Sequence, residues 1–225
     1  RSSSGVSGSA DVFEYFGYNL NSEPAEIVDI LEKYNICFMF AQKFHPAMKH
    51  VSAARKQLGK RTAFNLLGPL SNPANVKNQL VGVFSIEYLD RLPQILKRKG
   101  AQNIMTVRSN DGMDEFSTSS TNRVGILRKD KVLMNVIDPE VVGLHKSKLS
   151  DIQIESKQDA IESFVKVLNN TANQAMIETT VLNAAGGLIV ADIAKNFEEA
   201  VEIATNTIES GKAYSLLEKF VKGTG

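Results

Sequence analysis

Cysteine is almost absent from this sequence. Cys37 is the only one among 225 residues and lies in the apolar run ICFMF, so no disulfide can form within the chain, and burial as a small hydrophobic residue is its ordinary role. A reducing compartment fits this usage. Long apolar runs are also missing, since none approaches the ~20 residues of a membrane-spanning helix. We therefore expect a cytoplasmic protein with no membrane segment.

An excess of charge of one sign is lacking too. The 26 basic and 25 acidic residues give a formal net charge of +1, which provides no overall field to attract nucleic acid or an anionic membrane. His50 and His145 have no cysteine or histidine at metal-binding spacing, which argues against zinc. The Gly-x-Ser-x-Gly elbow and a Cys/His nucleophile pair are not found either. Any anion that this protein binds must be held by a local site.

The middle of the chain has the pattern of a β-α-β unit. QLVGVFS and NIMTVRS are typical of buried strands, with a helical pattern from about Ile86 to Lys99 between them, and such a unit makes two parallel strands with a right-handed crossover. RVGILRK and KVLMNVI, separated by little more than Lys129 and Asp130, predict an antiparallel hairpin. From Lys157 onward we expect three or four amphipathic helices, the longest containing NAAGGLIVA.

The first third of the chain predicts mainly helix. SGSADVFEYFGYNL, with Ser7 or Ser9 as its N-cap, and PAEIVDILEKYN have helical spacing. ICFMFAQ is typical of a buried strand, and the segment from Pro46 to Leu58 again has helical spacing. Pro69 and Pro73 should interrupt any helix between residues 61 and 76. The prediction is one α/β domain: a mixed, largely parallel central sheet flanked by helices, with a helical C-terminal portion.

The stretch DGMDE, Asp111 to Glu115, directly follows the strand NIMTVRS. Ligands of open α/β sheets collect beyond the carboxyl ends of strands, and Mg²⁺ is typically held by one or two carboxylates together with waters and substrate phosphates. Asp114 and Glu115 supply such a pair, while Gly112 lets the backbone bend and Asp111 can cap the turn. The alternative is an ordinary acidic turn on the surface.

The opening RSSSGVSGSAD places serines and a glycine before a helix. Hydroxyls and the N–H groups of a helix N-terminus suit a phosphate, and Arg1 would add a positive charge. The alternative is a flexible Gly/Ser loop with an ordinary serine cap.

A basic segment, HPAMKHVSAARK, puts Lys49, Arg55 and Lys56 on a predicted helix, with His45 just before it. Arg55 could hold a carboxylate ligand through two parallel hydrogen bonds. The alternative is that His45 caps the helix and the basic residues are solvated.

Three blocks occur in order: RSSSGVSGSADVFEYFG, FMFAQKFHPAMKHVSAARKQLGKRTAFNLLGPLSNPAN and DGMDE. Together they resemble the anthranilate phosphoribosyltransferase family, within the nucleoside phosphorylase and phosphoribosyltransferase superfamily. The resemblance implies a Mg²⁺-dependent enzyme of tryptophan biosynthesis that transfers the phosphoribosyl group of phosphoribosyl pyrophosphate (PRPP) to the amino group of anthranilate. It also implies a homodimer.

The resemblance assigns roles to individual residues. Asp114 and Glu115 correspond to metal ligands, with Glu115 touching two ions. Arg55 matches the arginine that meets anthranilate, and His45 and Pro69 match residues lining its entry path. No general base is evident. The PRPP loop corresponds to Arg1, Ser2, Ser3, Ser4, Gly5 and Ser9.

The sequence departs from the family in two ways. The upstream glycine-rich GTGGD motif and the small N-terminal helical domain are not in this chain, and Val6 stands where many relatives carry a polar residue, which weakens the case for a phosphate contact by that side chain. We expect residues 1–225 to be an N-terminally truncated large α/β domain that is inactive alone. The segment 46–75 is expected to pack at the interface with the missing helical domain.

Two other functions remain compatible with such a fold. A non-catalytic homologue that binds nucleic acid would need a strongly basic surface and would have lost the acidic pair. A relative of pyrimidine nucleoside phosphorylase would accept phosphate without such a pair, and the HPAMK block disfavours it. The fold cannot separate these functions, so the site residues must.

Overall fold

The computed structural model describes residues 7–46 and 64–224, which divide into two compact units. The first takes its described residues from the chain up to Ala74, from Ile154–Phe164 and from Ala213 onward; the second comprises Asn75–Gln153 and Val165–Lys212. None of the helices in these ranges has the length and apolar character needed to cross a membrane.

The helices are α1 (Ser9–Tyr15), α2 (Pro24–Tyr34), α3 (Ala41–Phe44), α4 (Phe64–Leu70), α5 (Tyr88–Arg98), α6 (Lys157–Leu168), α7 (Gln174–Val190), α8 (Phe197–Glu209) and α9 (Lys212–Thr224), with one 3₁₀ turn at Leu149–Ile152. The strands are β1 (Asn78–Gly82), β2 (Asn103–Ser109), β3 (Asn122–Arg128) and β4 (Lys131–Ile137).

The second unit is built on a four-stranded sheet in the order β1-β2-β3-β4. The predicted β-α-β unit is confirmed, because β1 and β2 pair in parallel with α5 between them in the chain. The β2–β3 and β3–β4 pairs are antiparallel. The mixed character of the sheet is therefore confirmed, but parallel pairing does not predominate among the described strands. Parallel pairing needs a crossover of about a dozen residues or more, usually a helix, whereas the chain between β2 and β3 forms turns.

The predicted hairpin is confirmed as β3 and β4. Its two connecting residues, Lys129 and Asp130, both have positive φ, at 47° and 64°. Two-residue hairpin turns favour this geometry because its twist matches that of the flanking strands.

The core of the second unit lies between the sheet and helices α7 and α8. Phe116 is fully buried there and meets Phe197 edge to face, with ring centroids 5.5 Å apart. The run NAAGGLIVA lies in α7, the longest described helix, and a Cβ atom on its Gly186 would stand only 2.7 Å from the Phe116 ring. The small residue is thus needed for close packing, as the sequence predicts.

The first unit is organised around an aromatic cluster. The rings of Tyr18 and Phe220 stack at 5.5 Å, and the hydroxyl of Tyr18 donates to the carbonyl oxygen of Phe38 at 2.8 Å. The predicted strand ICFMFAQ is wrong, because residues 36–40 form no strand and Ala41–Phe44 is a short helix. Phe38 and Phe40 of this run pack against the aromatic cluster, and the hydroxyl of Tyr18 bonds the Phe38 backbone where a neighbouring strand would do so in a sheet.

Two helices of this unit contain a proline. Pro24–Tyr34 forms as predicted, with Pro24 at its start and Asn35 in the left-handed conformation at its end. Pro69, however, lies inside α4, which ends one residue later at Leu70. A proline near the end of a helix removes only one late hydrogen bond, so it marks the end without preventing the last turn. After Pro46, the helix predicted for residues 46–58 lies outside the described residues and remains a prediction.

Candidate metal site

The acidic stretch forms a tight loop immediately after β2. Gly112 donates its N–H to the carbonyl oxygen of Ser109 at 3.1 Å, and Ser109 donates its own N–H to the carbonyl of Met113 at 3.0 Å. Gly112 has a φ of +104°, a backbone conformation that glycine adopts without the steric cost other residues incur. The bend predicted at Gly112 is therefore present, and it returns the chain toward the end of its own strand.

Asp111 stabilises this turn. One of its carboxylate oxygens accepts the N–H of Met113 at 3.0 Å, and the other accepts the hydroxyl of Ser119 at 2.5 Å. Burial opposes ionisation of Asp111, but hydrogen bonds from the hydroxyls of Ser117 and Ser119 and from the Met113 N–H outweigh it and lower the pKa of this carboxyl. Asp111 therefore serves the loop as a charged acceptor.

The neighbouring acids have no such partners. Asp114 and Glu115 are both exposed, and within the described residues neither forms an ion pair. Although the Glu115 residue as a whole is exposed, protein atoms crowd its carboxylate; this desolvation, followed by the like charge of Asp114, raises its pKa. A divalent cation would offset that repulsion, and two carboxylates suffice for Mg²⁺ when substrate and water supply the other ligands.

Larger acidic clusters are not found. Within residues 7–46 and 64–224, no group of three or more His, Cys, Asp or Glu side chains is arranged to hold a metal ion. A closed protein cage for a metal is therefore not available in the described part of the chain. An open site with two carboxylates fits Mg²⁺, which keeps several waters, better than it fits a structural zinc ion.

The backbone of the acidic pair is fixed by residues that sequence reasoning missed. A Cβ atom on Gly82, the last residue of β1, would stand 1.6 Å from the carbonyl oxygen of Asp114, so the loop rests directly on that glycine. Asn183 of α7 accepts the Phe116 N–H at 3.0 Å and donates to the Phe116 carbonyl at 2.8 Å. These partners lie far from the loop in sequence and carry no local signal, although the glycine in QLVGVFS is an unusual choice for a strand.

A second asparagine holds the next residue in the same manner. The buried side chain of Asn122 accepts the N–H of Ser117 at 2.8 Å and donates to its carbonyl oxygen at 2.9 Å. Buried backbone groups must be paired to avoid a desolvation cost. In each of the two residues that follow the acidic pair, a side-chain amide thus hydrogen-bonds both the backbone N–H and the backbone carbonyl.

Ser9 is the only described member of the predicted PRPP set. It is exposed at the first position of α1, but Gly8 is the N-cap, so the predicted serine cap is wrong. The carboxylate of Asp11 accepts the Gly8 N–H at 3.1 Å and lies 3.1 Å from the ammonium of Lys157, whose hydrogen bond is the main cause of a lowered Asp11 pKa. Asp11, the third residue of the helix, thus reaches back to the N–H of the N-cap, as the acidic residue of a capping box does. The other members, Arg1, Ser2, Ser3, Ser4 and Gly5, lie outside the described residues.

His45 and Pro69, two of the residues predicted for the anthranilate site, belong to the first unit. His45 is half-buried and ends α3, donating its backbone N–H to the carbonyl oxygen of Ala41 at 2.9 Å. Pro69 is half-buried in α4, and Arg55 lies outside the described residues. The acidic pair belongs to the second unit.

Comparison with known proteins defines the class. A family model described as the glycosyl transferase family, a/b domain, matches residues 1–214, and the chain belongs to that family. Among its relatives it is similar to the anthranilate phosphoribosyltransferase of Nitrosopumilus maritimus, with 85% identity over 225 residues that cover all of this chain and 65% of the relative. The resemblance inferred from the sequence is thereby confirmed.

Solved structures agree with this assignment. The crystal structure of anthranilate phosphoribosyltransferase from Thermus thermophilus matches 99% of this chain and 66% of its own, with 34% identity and a TM-score of 0.91. A variant of the enzyme from Saccharomyces cerevisiae, solved with Mg bound, matches 96% of this chain and 62% of its own, with 25% identity and a TM-score of 0.83. The chain therefore spans slightly less than two thirds of the length of these relatives.

Proposed function

We propose that the protein containing this chain transfers the phosphoribosyl group of PRPP to the amino group of anthranilate, in a Mg²⁺-dependent step of tryptophan biosynthesis. The observation that carries this proposal is the pair of carboxylates of Asp114 and Glu115, without cationic partners among the described residues, at the end of β2. The 85% identity to a relative named for this activity selects the reaction among those that use a carboxylate-bound cation.

In the proposed reaction the anthranilate nitrogen bonds to the anomeric carbon while the bond from that carbon to pyrophosphate breaks. Asp114 and Glu115 would hold Mg²⁺, and the yeast variant solved with Mg bound supports the use of this ion. When bound, Mg²⁺ supplies positive charge that stabilises the departing pyrophosphate. The described residues contribute mainly by orientation and electrostatics. No side chain is assigned as a general base, and after the new bond has formed the nitrogen releases its proton to water.

The substrate sites carried over from the family belong to the same proposal. Arg55 would pair with the anthranilate carboxylate, and His45 and Pro69 would line the approach. The phosphates would meet Ser9 and the residues Arg1, Ser2, Ser3, Ser4 and Gly5. The serine hydroxyls and the Arg1 guanidinium are suited to phosphate oxygens.

The proposal also includes the organisation of the whole protein. We take residues 1–225 as the large α/β domain of the enzyme, and residues 46–75 as the segment that packs against the small helical domain of the family. We expect the assembled enzyme to be a homodimer in the cytoplasm. Size-exclusion chromatography with light scattering on the full-length protein checks the dimer.

The test of the reaction uses the full-length protein with Mg²⁺, PRPP and anthranilate, and follows the loss of anthranilate fluorescence. We expect turnover, and Glu115→Gln should reduce it by roughly 10²-fold or more, since loss of metal-based charge stabilisation costs several kcal/mol and each ~1.4 kcal/mol is tenfold. Asp111→Asn should have a smaller effect because it alters only the turn. Glu202→Gln, an exposed change on α8, is the matched control. Equal losses at Glu115 and Asp111 would contradict the division of roles within the loop.

A separate experiment tests the anthranilate site. Arg55→Ala should raise the KM for anthranilate with a smaller change for PRPP, since only the carboxylate partner is removed. The reverse pattern would contradict the assigned role. Absence of turnover together with tight binding to DNA would instead favour the nucleic-acid-binding alternative, and phosphate-dependent cleavage of a pyrimidine nucleoside would favour the phosphorylase.

A further inference from the structure

Phe116 directly follows the acidic pair, and its two backbone polar groups are both bonded by one side chain. The amide oxygen of Asn183 accepts the Phe116 N–H at 3.0 Å, and its amide nitrogen donates to the Phe116 carbonyl at 2.8 Å. An asparagine amide has one acceptor and one donor face separated as in a peptide group. The contact therefore fixes both the position and the rotation of the backbone adjoining Glu115.

The orientation of this amide is itself set by α7. The amide nitrogen of Asn183 also donates to the carbonyl oxygen of Thr179, one turn earlier, at 2.9 Å. Thr179 in turn shares a hydrogen bond of 2.7 Å with the buried hydroxyl of Thr118. The asparagine cannot rotate without breaking a bond to its own helix, so it transmits the position of α7 to the loop.

The Phe116 side chain reinforces the same connection. Its ring is fully buried against α7, where a Cβ atom on Gly186 would come within 2.7 Å of it. On the other side of the pair, the backbone of Asp114 rests on Gly82 of β1. The acidic pair is therefore held between a strand end and a helix, and Asn183 makes the polar contacts on the helix side.

We infer that Asn183 is a positioning residue that sets the geometry in which Asp114 and Glu115 bind Mg²⁺. This inference rests on the proposed function, because it assigns the two carboxylates to Mg²⁺. Asn183 acts through the backbone of Phe116 and does not ligate the ion itself. Groups that orient metal ligands typically change metal affinity by about 10- to 100-fold when they are replaced.

The test uses the full-length protein and three variants. Asn183→Ala removes both bonds to Phe116, and Asn183→Asp keeps the acceptor while removing the donor. Asn206→Ala, at an exposed asparagine of α8, is the control. Mg²⁺ binding is measured by calorimetry in the presence of PRPP without anthranilate, so no turnover occurs. The Mg²⁺ dependence of activity and the urea midpoint are measured in parallel.

We expect both Asn183 variants to raise the Kd for Mg²⁺ and the half-saturating Mg²⁺ concentration by about 10- to 100-fold. At saturating Mg²⁺, kcat and the KM for anthranilate should return to within about threefold of wild type, since an orienting defect is compensated by mass action. The control should bind Mg²⁺ as wild type does. A purely structural role would lower the urea midpoint but leave the Kd for Mg²⁺ unchanged, and this result overturns the inference.

The outcomes also separate this inference from the proposed function. If Glu115→Gln loses Mg²⁺ binding while the Asn183 variants retain wild-type affinity, the proposed function stands and the role of Asn183 fails. If the wild-type protein neither binds Mg²⁺ with PRPP nor turns over, both fail. Should Asn183→Ala and Asn183→Asp not fold, Asn183→Gln keeps both amide groups but displaces them by one methylene, and its Kd for Mg²⁺ decides by the same comparison.

Discussion

Gly82→Ala is a direct test of how the acidic pair is positioned. Gly82 ends β1 opposite Val107, and the added Cβ atom would stand 1.6 Å from the carbonyl oxygen of Asp114 and 2.8 Å from its carbonyl carbon. Both are backbone atoms, so no side-chain rotation relieves the clash. The methyl group can be accommodated only if the strand end or the loop moves.

The required movement is large compared with what a metal site tolerates. Ordinary contact begins at 3.4 Å, so the oxygen of Asp114 is about 1.8 Å too close. Forcing an extra methylene into a packed site costs about 1–3 kcal/mol, and a misplacement of about 1 Å can reduce catalysis by roughly 10²-fold. We therefore expect a lower urea midpoint, together with a half-saturating Mg²⁺ concentration raised by at least about tenfold.

The assay is the Mg²⁺ dependence of PRPP and anthranilate turnover by the full-length protein, with urea unfolding in parallel. Gly187→Ala is the control, because a Cβ atom there meets nothing within 4 Å. Alanine at this position, in the last turn of α7, should stabilise the protein by about 0.5–1 kcal/mol and leave the Mg²⁺ dependence unchanged. A Gly82→Ala protein that is less stable but has wild-type Mg²⁺ dependence would refute the view that β1 positions Asp114.

Three further predictions concern stability. The hydrogen bond to Glu178, and then the charge of Glu178, raises the pKa of exposed His145 above the ordinary 6.5. The stability contributed by this pair is therefore fully present below pH 6.5 and is lost as the pH rises through the pKa of the folded state. His145→Gln should lower the urea midpoint only on the acid side. Gly125→Ala should cost about 1–3 kcal/mol, because its Cβ would stand 1.9 Å from the carbonyl oxygen of Leu89, and thermal unfolding measures this. Lys129→Gly should stabilise the hairpin by roughly 0.5 kcal/mol, since a side chain disfavours a φ of 47°, and urea unfolding with an unchanged m-value checks it.

The elements predicted correctly are those whose determinants are local. The strand NIMTVRS forms at the residues predicted, and Lys129 and Asp130 make a two-residue hairpin turn, because alternation, length and turn chemistry all lie within a few neighbours. ICFMFAQ shows the opposite case. A short apolar run is compatible with several structures, and here contacts with Tyr18 and the aromatic cluster, distant in sequence, decide in favour of an extended segment and a short helix.

Whether neighbouring strands run parallel or antiparallel was less predictable, for a related reason. Apolar strands separated by a helix indicate a parallel pair, and β1 and β2 form one. The segment after β2 contains the acidic loop and a run of hydroxyl residues, STSST, whose hydrogen bonds stabilise turns where a crossover helix would otherwise form. Ser119 donates to Asp111, and Ser120 accepts the Asp111 N–H at 3.0 Å. The same residues that shape the candidate site therefore reverse the chain.

Two carboxylates of the same short loop show why residue type alone does not define the site. Asp111 has a lowered pKa because hydroxyl and backbone donors surround its charge, whereas desolvation and Asp114 raise the pKa of Glu115. Hydrogen bonds within the protein already stabilise the negative charge of Asp111, whereas a bound cation would stabilise that of Glu115.

The sequence identifies such a pair of carboxylates, but it does not reveal the contacts that position them. Phe116 and Asn183 are separated by 67 positions along the chain, and the glycine beneath Asp114 belongs to another strand. A peptide with the sequence DGMDE would carry the same acids, but neither Gly82 nor Asn183 would hold its backbone. It would have to lose conformational freedom on binding Mg²⁺, at about 1–2 kcal/mol for each residue fixed. In the folded chain that ordering has already occurred, because β1 and α7 fix the loop as the core forms.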